Sequence, residues 1–153
     1  MDFITDLFDL DLSQLVPEMS QVLDKARLAV TASVLAGPIL LLILGVIYFF
    51  IPPREANHRF GFRTYFGMGS VEAWRFTQKV AGLLYSLLGL TFLIIMLVVI
   101  KDFDTMDHFT MVMTAMKYLL WQAGFALLMR LLTGLLAMIF FNGYGNRRWK
   151  KKI

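Results

Sequence analysis

The amino-acid sequence predicts an all-α integral membrane protein with three transmembrane helices and an amphipathic segment ahead of them. Hydrophobic residues make up 58% of the 153 residues, whereas ordinary globular domains contain about 45–50%. The excess is concentrated in three long blocks and is not spread along the chain. Contact with water would destabilise such blocks, and lipid removes that contact. We expect the three membrane spans at about residues 28–51, 80–100 and 118–141.

Each of the three blocks is long enough to cross a bilayer as a helix. The first block contains 24 residues, none of them charged, and as a helix it would reach ~36 Å across a hydrocarbon core of ~30 Å. The second block also lacks charge, and the third is interrupted once, by Arg130. None of the blocks alternates polar and apolar residues as a membrane strand does. We therefore expect helices.

The first 27 residues (1–27) form an acidic segment of a different kind. Its apolar residues recur at three- and four-residue intervals with aspartates between them, which is typical of an amphipathic helix. We expect this helix to pack against protein or to rest outside the membrane, and Pro17 to end it. The segment does not resemble a secretory signal, which begins with positive charge and a short apolar run. Its periodic apolar residues are Phe3, Ile4, Leu7, Phe8, Leu12, Leu15 and Val16.

The distribution of Lys and Arg predicts the orientation. With three crossings, the loop at residues 52–79 and the tail at residues 142–153 lie on the same side and together carry ten Lys and Arg residues. The opposite side carries four. The positive-inside rule therefore predicts a cytoplasmic loop and tail and an outer N-terminus, in a multi-pass protein of the plasma membrane.

The loop at residues 52–79 carries a polar motif. Gly61 permits a turn that other residues resist, and Arg63 offers a planar fork of donors suited to a carboxylate or a phosphate. Asn57 and Thr64 can bond the loop backbone and hold that fork in place. Two roles for Arg63 stay open, a specific site and simple contact with lipid phosphate or a helix end. The motif consists of Asn57, Gly61, Arg63, Thr64, Ser70, Trp74, Gln78 and Lys79.

In this motif, and in its place between the first two spans, the chain resembles the SdpI family of small bacterial membrane proteins. The family pattern runs roughly Asn-x-x-x-Gly-x-Arg-Thr, then Ser-x-x-x-Trp, then a polar-basic pair. The resemblance covers about residues 28–141, with its specificity in the loop. It departs at Gln78, where members often have Asn, and in length, since several members have extra spans. It implies immunity to a secreted antimicrobial toxin and capture of a repressor at the membrane.

Arg130 is the second residue that points to function. It lies near the middle of the third block, ~18 Å of helix from Asn142, and a charge at such depth costs ~2.5–3.5 kcal/mol. No acidic residue occurs in the three blocks. Carbonyls, polar side chains, water, another subunit or a ligand must meet this charge, so Arg130 is either a structural residue or an anion site. The candidate partners of Arg130 within the blocks are Tyr85, Ser86, Thr91, Gln122 and Thr133.

Several classes of function are disfavoured. The chain carries no recognised catalytic motif, so we expect no enzyme and no cofactor. The acidic cluster at residues 102–108 fits no calcium loop, and helix capping explains it more simply than a metal does. Arginines and aromatic residues are expected at a membrane interface, so the loop does not indicate nucleic-acid binding. Three spans cannot enclose a transport pathway without further copies.

Two functional interpretations stay open. The first is an immunity or binding protein that recognises a membrane-active toxin or peptide, and the second is an accessory subunit of a larger membrane complex. Gly82 and Ser86 form a small-xxx-small pair that would let another helix approach closely. That pair, the amphipathic N-terminal segment and Arg130, which has no acidic residue in the blocks to meet it, all suit contact between chains, including a second copy of this chain. Membrane lipids are expected partners under both interpretations.

Overall fold

Three long helices build the protein. The computed structural model describes residues 12–54, 56 and 60–149, without the side chains of residues 12–20. The helices are α1 (Leu12–Phe50), α2 (Val71–Val99) and α3 (His108–Phe140), and a short 3-10 helix at Ile100–Asp104 joins α2 to α3. Over these described ranges no strand forms, which confirms the all-α prediction. Residues 1–11, which begin the acidic segment, lie outside the described part.

All three helices have the length and composition of membrane spans. The candidate spans are Gln21–Phe50, Val71–Asp104 and His108–Phe140, which confirms a multi-pass membrane protein. Helices α2 and α3 contain 29 and 33 residues, so their lengths of ~43 and ~50 Å exceed a ~30 Å core. They begin well before the apolar blocks do, because a helix continues through polar residues at the membrane surface.

The expectation that Pro17 ends a separate helix is wrong. Helix α1 runs without interruption from Leu12 through Pro17 and Pro38 to Phe50. A proline removes one backbone donor, and a helix can continue past it with a bend. Residues 12–27 are therefore continuous with the first span in the structure.

Helices α1 and α2 approach each other closely through small residues. A Cβ atom built on Gly82 would lie 2.6 Å from the backbone nitrogen of Phe49, and one on Gly89 would lie 2.7 Å from that of Leu42. Gly45 meets Ser86 in the same way from the α1 side. The small-xxx-small pair of α2 therefore does bring a helix close, and that helix belongs to the same chain.

Helix α3 contacts α1 through a buried glutamine. Pro38 has no backbone N–H, so it cannot bond the carbonyl of Val34 one turn earlier. The Nε2 of Gln122 donates to that carbonyl at 3.1 Å. Gly37 leaves the room for this amide, since a Cβ at Gly37 would collide with the Gln122 Oε1 atom. A side chain from α3 thus supplies the hydrogen bond that Pro38 cannot donate to the Val34 carbonyl.

The connection between α2 and α3 uses its acidic residues structurally. Asp107 caps α3 by accepting a hydrogen bond from the Thr110 backbone N–H at 3.0 Å, and its bonds to Thr110 lower the pKa of its carboxyl. Asp104 lies 3.5 Å from the guanidinium of Arg27 on α1. Phe103 of the 3-10 helix is buried in a cluster with Val34 and the ends of α2 and α3. We call the end of the bundle that contains this connection, residues 100–107, the hairpin end.

Candidate functional site

The opposite end of the bundle is formed by residues 51–70 and by the segment after α3, residues 141–149. We call it the loop end. Here the chain leaves α1 at Phe50 and reaches the start of α2 at Val71. Pro52 and Pro53 prevent α1 from continuing, because neither residue can donate a backbone hydrogen bond. Of the motif residues that the structure describes, Gly61, Arg63, Thr64 and Ser70 lie here, and Trp74, Gln78 and Lys79 lie at the adjoining start of α2.

Gln78 holds the loop by both atoms of its amide. Its Oε1 accepts from the backbone N–H of Phe62 at 2.9 Å, and its Nε2 donates to the carbonyl of Phe62 at 2.8 Å. The side chain is fully buried, so it replaces the water that would otherwise solvate the Phe62 peptide groups. The motif glutamine is therefore a clamp for the loop backbone.

Trp74 and Gly61 form the second attachment. The indole Nε1 of Trp74 donates to the carbonyl of Pro53 at 2.9 Å. The ring lies so close to Gly61 that a Cβ there would come within 2.5 Å of the Trp74 Cζ2 atom. Gly61 also has a φ of 117°, a backbone conformation that residues with a side chain rarely adopt. Both constraints require glycine at this position.

Ser70 links the loop to the C-terminal segment. Its hydroxyl donates to the carbonyl of Gly145 at 2.7 Å and accepts from the backbone N–H of Ala73 at 3.1 Å. The second bond makes Ser70 the N-cap of α2. Arg147 adds an ion pair to Glu72 at 2.6 Å. Residues 70–73 are thus fastened to the segment that follows α3.

The remaining motif residues divide into two groups. The hydroxyl of Thr64 accepts from the backbone N–H of Gly67 at 3.0 Å, so Thr64 shapes the loop as Gln78 and Trp74 do. Arg63 and Lys79 are exposed. Asn57 lies outside the described residues. The structure therefore gives five of the eight positions a holding role and leaves two on the surface.

Arg130 contacts the loop. Its Cζ atom lies 5.8 Å from the ring centroid of Phe62, within the range of a cation–π contact. The ring of Phe62 is itself packed against Tyr48 and Tyr85, at centroid distances of 6.3 and 5.7 Å. Phe62 is not among the residues predicted from the sequence motif. The sequence feature that could have indicated it is an aromatic residue between the turn glycine, Gly61, and Arg63.

Three of the polar residues considered as partners of Arg130 have other contacts. Gln122 bonds the carbonyl of Val34, Thr133 donates to Met129 of its own helix at 2.8 Å, and Ser86 packs against Gly45. Tyr85, a fourth candidate, packs against Phe62 and lies within electrostatic range of Arg130. The ring contact that the described residues show for Arg130 is with Phe62, a loop residue 68 positions earlier in the chain.

The position of Arg130 along α3 differs from the one expected. Because α3 begins at His108 and ends at Phe140, Arg130 is 22 residues from the start and 10 from the end. The distance to the loop end is thus ~15 Å and that to the hairpin end ~33 Å. The predicted block began at Tyr118, which made Arg130 look central. Its depth in a bilayer stays a prediction.

Arg63 and Arg130 line one cavity of about 300 Å³. The first arginine comes from the loop and the second from α3, and both keep exposed surface that a ligand can reach. Among the described residues, the other lining groups are Tyr48, Gly61 and Phe62. Two guanidinium groups and a phenol converge there, a set of donors that suits an oxyanion.

A second, larger cavity is apolar. It is a groove of about 440 Å³ between α2 and α3, with Phe92, Trp121 and Phe125 among its walls. Its polar groups are few and lie towards the hairpin end, where Lys117 and Tyr118 contribute. The groove suits an apolar chain or helix, whereas the smaller cavity at the loop end carries the polar chemistry.

A family model described as the SdpI/YfhL protein family matches residues 54–142. The matched region covers more than half of the chain and contains the loop, α2, the 3-10 helix and α3. All eight motif positions and Arg130 fall within it. No curated protein and no solved structure matches the chain.

Proposed function

The chain belongs to the SdpI/YfhL protein family, and from this membership we propose that it is a non-enzymatic immunity-type protein that binds a membrane-active toxin or peptide. The observation that carries the proposal is the match itself, because it spans the folded motif loop and the two helices that follow. A membrane-active peptide partitions into the bilayer, where it meets the flanks of α1, α2 and α3.

The division of the motif supports a binding role. Gly61, Trp74 and Gln78 hold the loop rigidly, so Arg63 and Lys79 are presented on a fixed frame. Pre-organised groups bind more tightly, because no conformational freedom has to be lost on association. The groove between α2 and α3 offers an apolar counterpart on the helix flanks.

The lining of the polar cavity supports the non-enzymatic part of the proposal. Its described side chains are two arginines, a tyrosine and a phenylalanine. Such a set can bind and orient an anion. These described lining residues include no His, Asp, Glu, Cys, Ser or Lys, the residue types that most often act as base or nucleophile.

Two of the three features on which the subunit alternative rests have contacts within the chain. Gly82 and Ser86 pack against α1 of the same chain, and Arg130 lies over Phe62 of the same chain. Both features therefore have intramolecular roles. We further propose that the protein lies in the plasma membrane with its loop end in the cytoplasm, because the basic residues are concentrated at that end.

A deletion and rescue experiment tests the function. Deleting the gene should sensitise the host to one of its own secreted membrane-active peptides, and the intact gene should restore resistance. A Gln78→Leu variant, which cannot clamp Phe62, should rescue poorly, whereas Arg75→Gln, an exposed change outside the motif, should rescue fully. If deletion alters sensitivity to none of the host's secreted peptides, the proposal fails.

A further inference from the structure

We propose that the cavity between Arg63 and Arg130 binds the phosphate group of an anionic phospholipid. This site goes beyond the proposed function and does not depend on it, since the inference rests on the contacts of the loop end alone. The ligand chemistry is a phosphate oxyanion, and the lipid headgroup is its source.

The first reason is the convergence of positive charge. Arg63 and Arg130 are 67 positions apart in the sequence, and the fold brings both to one cavity of about 300 Å³. An anion between the two side chains is attracted by both positive charges. A phosphate has several oxygens and can accept from both guanidinium forks at once. The phenol of Tyr48, which also lines the cavity, can donate a further hydrogen bond.

The second reason is that the frame of the cavity is fixed before any ligand binds. The backbone of Phe62 is held on both sides by the buried amide of Gln78. Gly61 adopts its positive φ under the ring of Trp74. Arg130 is held over the face of Phe62, a contact that positions a cation and does not neutralise its charge.

The third reason is the level of the site in the membrane. Tyr48 lies two residues before the end of the first candidate span at Phe50, and Gly61, Phe62 and Arg63 lie between that span and the next, which begins at Val71. The cavity that these residues form with Arg130 is therefore at the membrane surface. An arginine on a span extends towards the headgroups by snorkelling. The donors therefore meet the layer in which lipid phosphates lie, which favours a phospholipid over a free ion.

A lipid-binding measurement on the full chain tests the site. The protein is purified in a mild non-ionic detergent and titrated with dioctanoyl phosphatidic acid, and bound lipid is counted by native mass spectrometry. Dioctanoyl glycerol, which lacks the phosphate, serves as the control ligand. We expect saturable binding of the first and none of the second.

Matched variants locate the binding. Arg63→Gln and Arg130→Gln should each weaken the affinity for phosphatidic acid about tenfold or more, because each removes charge-assisted hydrogen bonds. Arg75→Gln removes an exposed charge of α2 that does not line the cavity, and it should leave the affinity unchanged. Arg130→Lys keeps the charge and loses the fork, so its affinity should fall between those of wild type and Arg130→Gln.

The possible outcomes distinguish a lipid headgroup from a free phosphate and from diffuse attraction. If Arg75→Gln loses as much affinity for phosphatidic acid as Arg63→Gln does, the binding is diffuse attraction to the basic loop end, and the proposed site is wrong. Displacement of the lipid by inorganic phosphate at equal concentration would overturn the assignment to a headgroup. Should Arg130→Gln not fold, as judged by circular dichroism and gel filtration, the exposed Arg63→Gln decides. Unchanged binding in that variant contradicts the proposal, and none of these results depends on a toxin.

Discussion

At the scale of single residues, two structural constraints require glycine at position 61. Its φ of 117° disfavours any side chain, and the ring of Trp74 occupies the space that a Cβ would need. The sequence predicted a turn at Gly61 because glycine lacks a side chain, and the positive φ agrees with that prediction. The presence of Trp74 above it could not be foreseen, since 12 residues separate the two in the chain.

Gly61→Ala should destabilise the protein by roughly 1–3 kcal/mol, because the alanine must strain the backbone or displace Trp74. The effect is measured by thermal unfolding in detergent, in which the loss of the monodisperse gel-filtration peak is monitored as the temperature rises. Gly124→Ala on α3 is the matched control. A Cβ at Gly124 meets nothing within 4 Å, so this change should stabilise its helix by roughly 0.5–1 kcal/mol. Equal effects of the two substitutions would contradict the account of Gly61.

Gln78 shows the limit of inference from a motif. The sequence suggested that Gln78 and Lys79 belong to one polar binding set, yet Gln78 is buried against Phe62 and Lys79 is exposed. Neighbours along a helix point in directions ~100° apart. Which of the two faces the loop depends on where the loop packs, and no local pattern contains that information.

At the scale of elements, the contact between α1 and α3 depends on one side chain. Pro38 leaves the carbonyl of Val34 without its helical donor, and Gln122 supplies the hydrogen bond from α3. In an apolar interior such a carbonyl would otherwise remain unsatisfied. The sequence showed the proline and the glutamine separately, and only the packing of the helices relates them.

Gln122→Leu should therefore destabilise the protein by roughly 1–3 kcal/mol, the cost of a buried acceptor without a partner. The same substitution in a Pro38→Ala background should cost clearly less, because the introduced alanine provides the backbone N–H that Pro38 lacks. A double-mutant cycle on thermal or denaturant unfolding measures the coupling. If the two costs are equal, the bond from Gln122 does not compensate for Pro38.

At the scale of the whole molecule, the two ends differ in charge and in construction. Among its described residues the loop end carries Arg54, Arg63, Arg147 and Arg148. It is fastened by Trp74, Gln78 and Ser70. The hairpin end is a short turn in which Asp107 caps α3. This asymmetry predicts that the loop end faces the cytoplasm.

Cysteine labelling tests the orientation without background, because the chain contains no cysteine. Thr105→Cys at the hairpin end should react with a membrane-impermeant maleimide in intact cells. Tyr65→Cys, at a loop residue that is 78% exposed, should react only after lysis. The reverse pattern would invert the topology, and labelling of both sites in intact cells would contradict a single orientation.

The sequence by itself determined the class of the protein, its three spans and its family motif. Long apolar blocks in which polar and apolar residues do not alternate cross a bilayer as helices, because each backbone group of a helix finds its partner within its own segment. Only the tertiary structure decided that Arg130 meets Phe62 and shares a cavity with Arg63. Such contacts join residues far apart in the chain, and they arise from the way the loop folds back on the bundle, for which hydrophobic periodicity carries no signal.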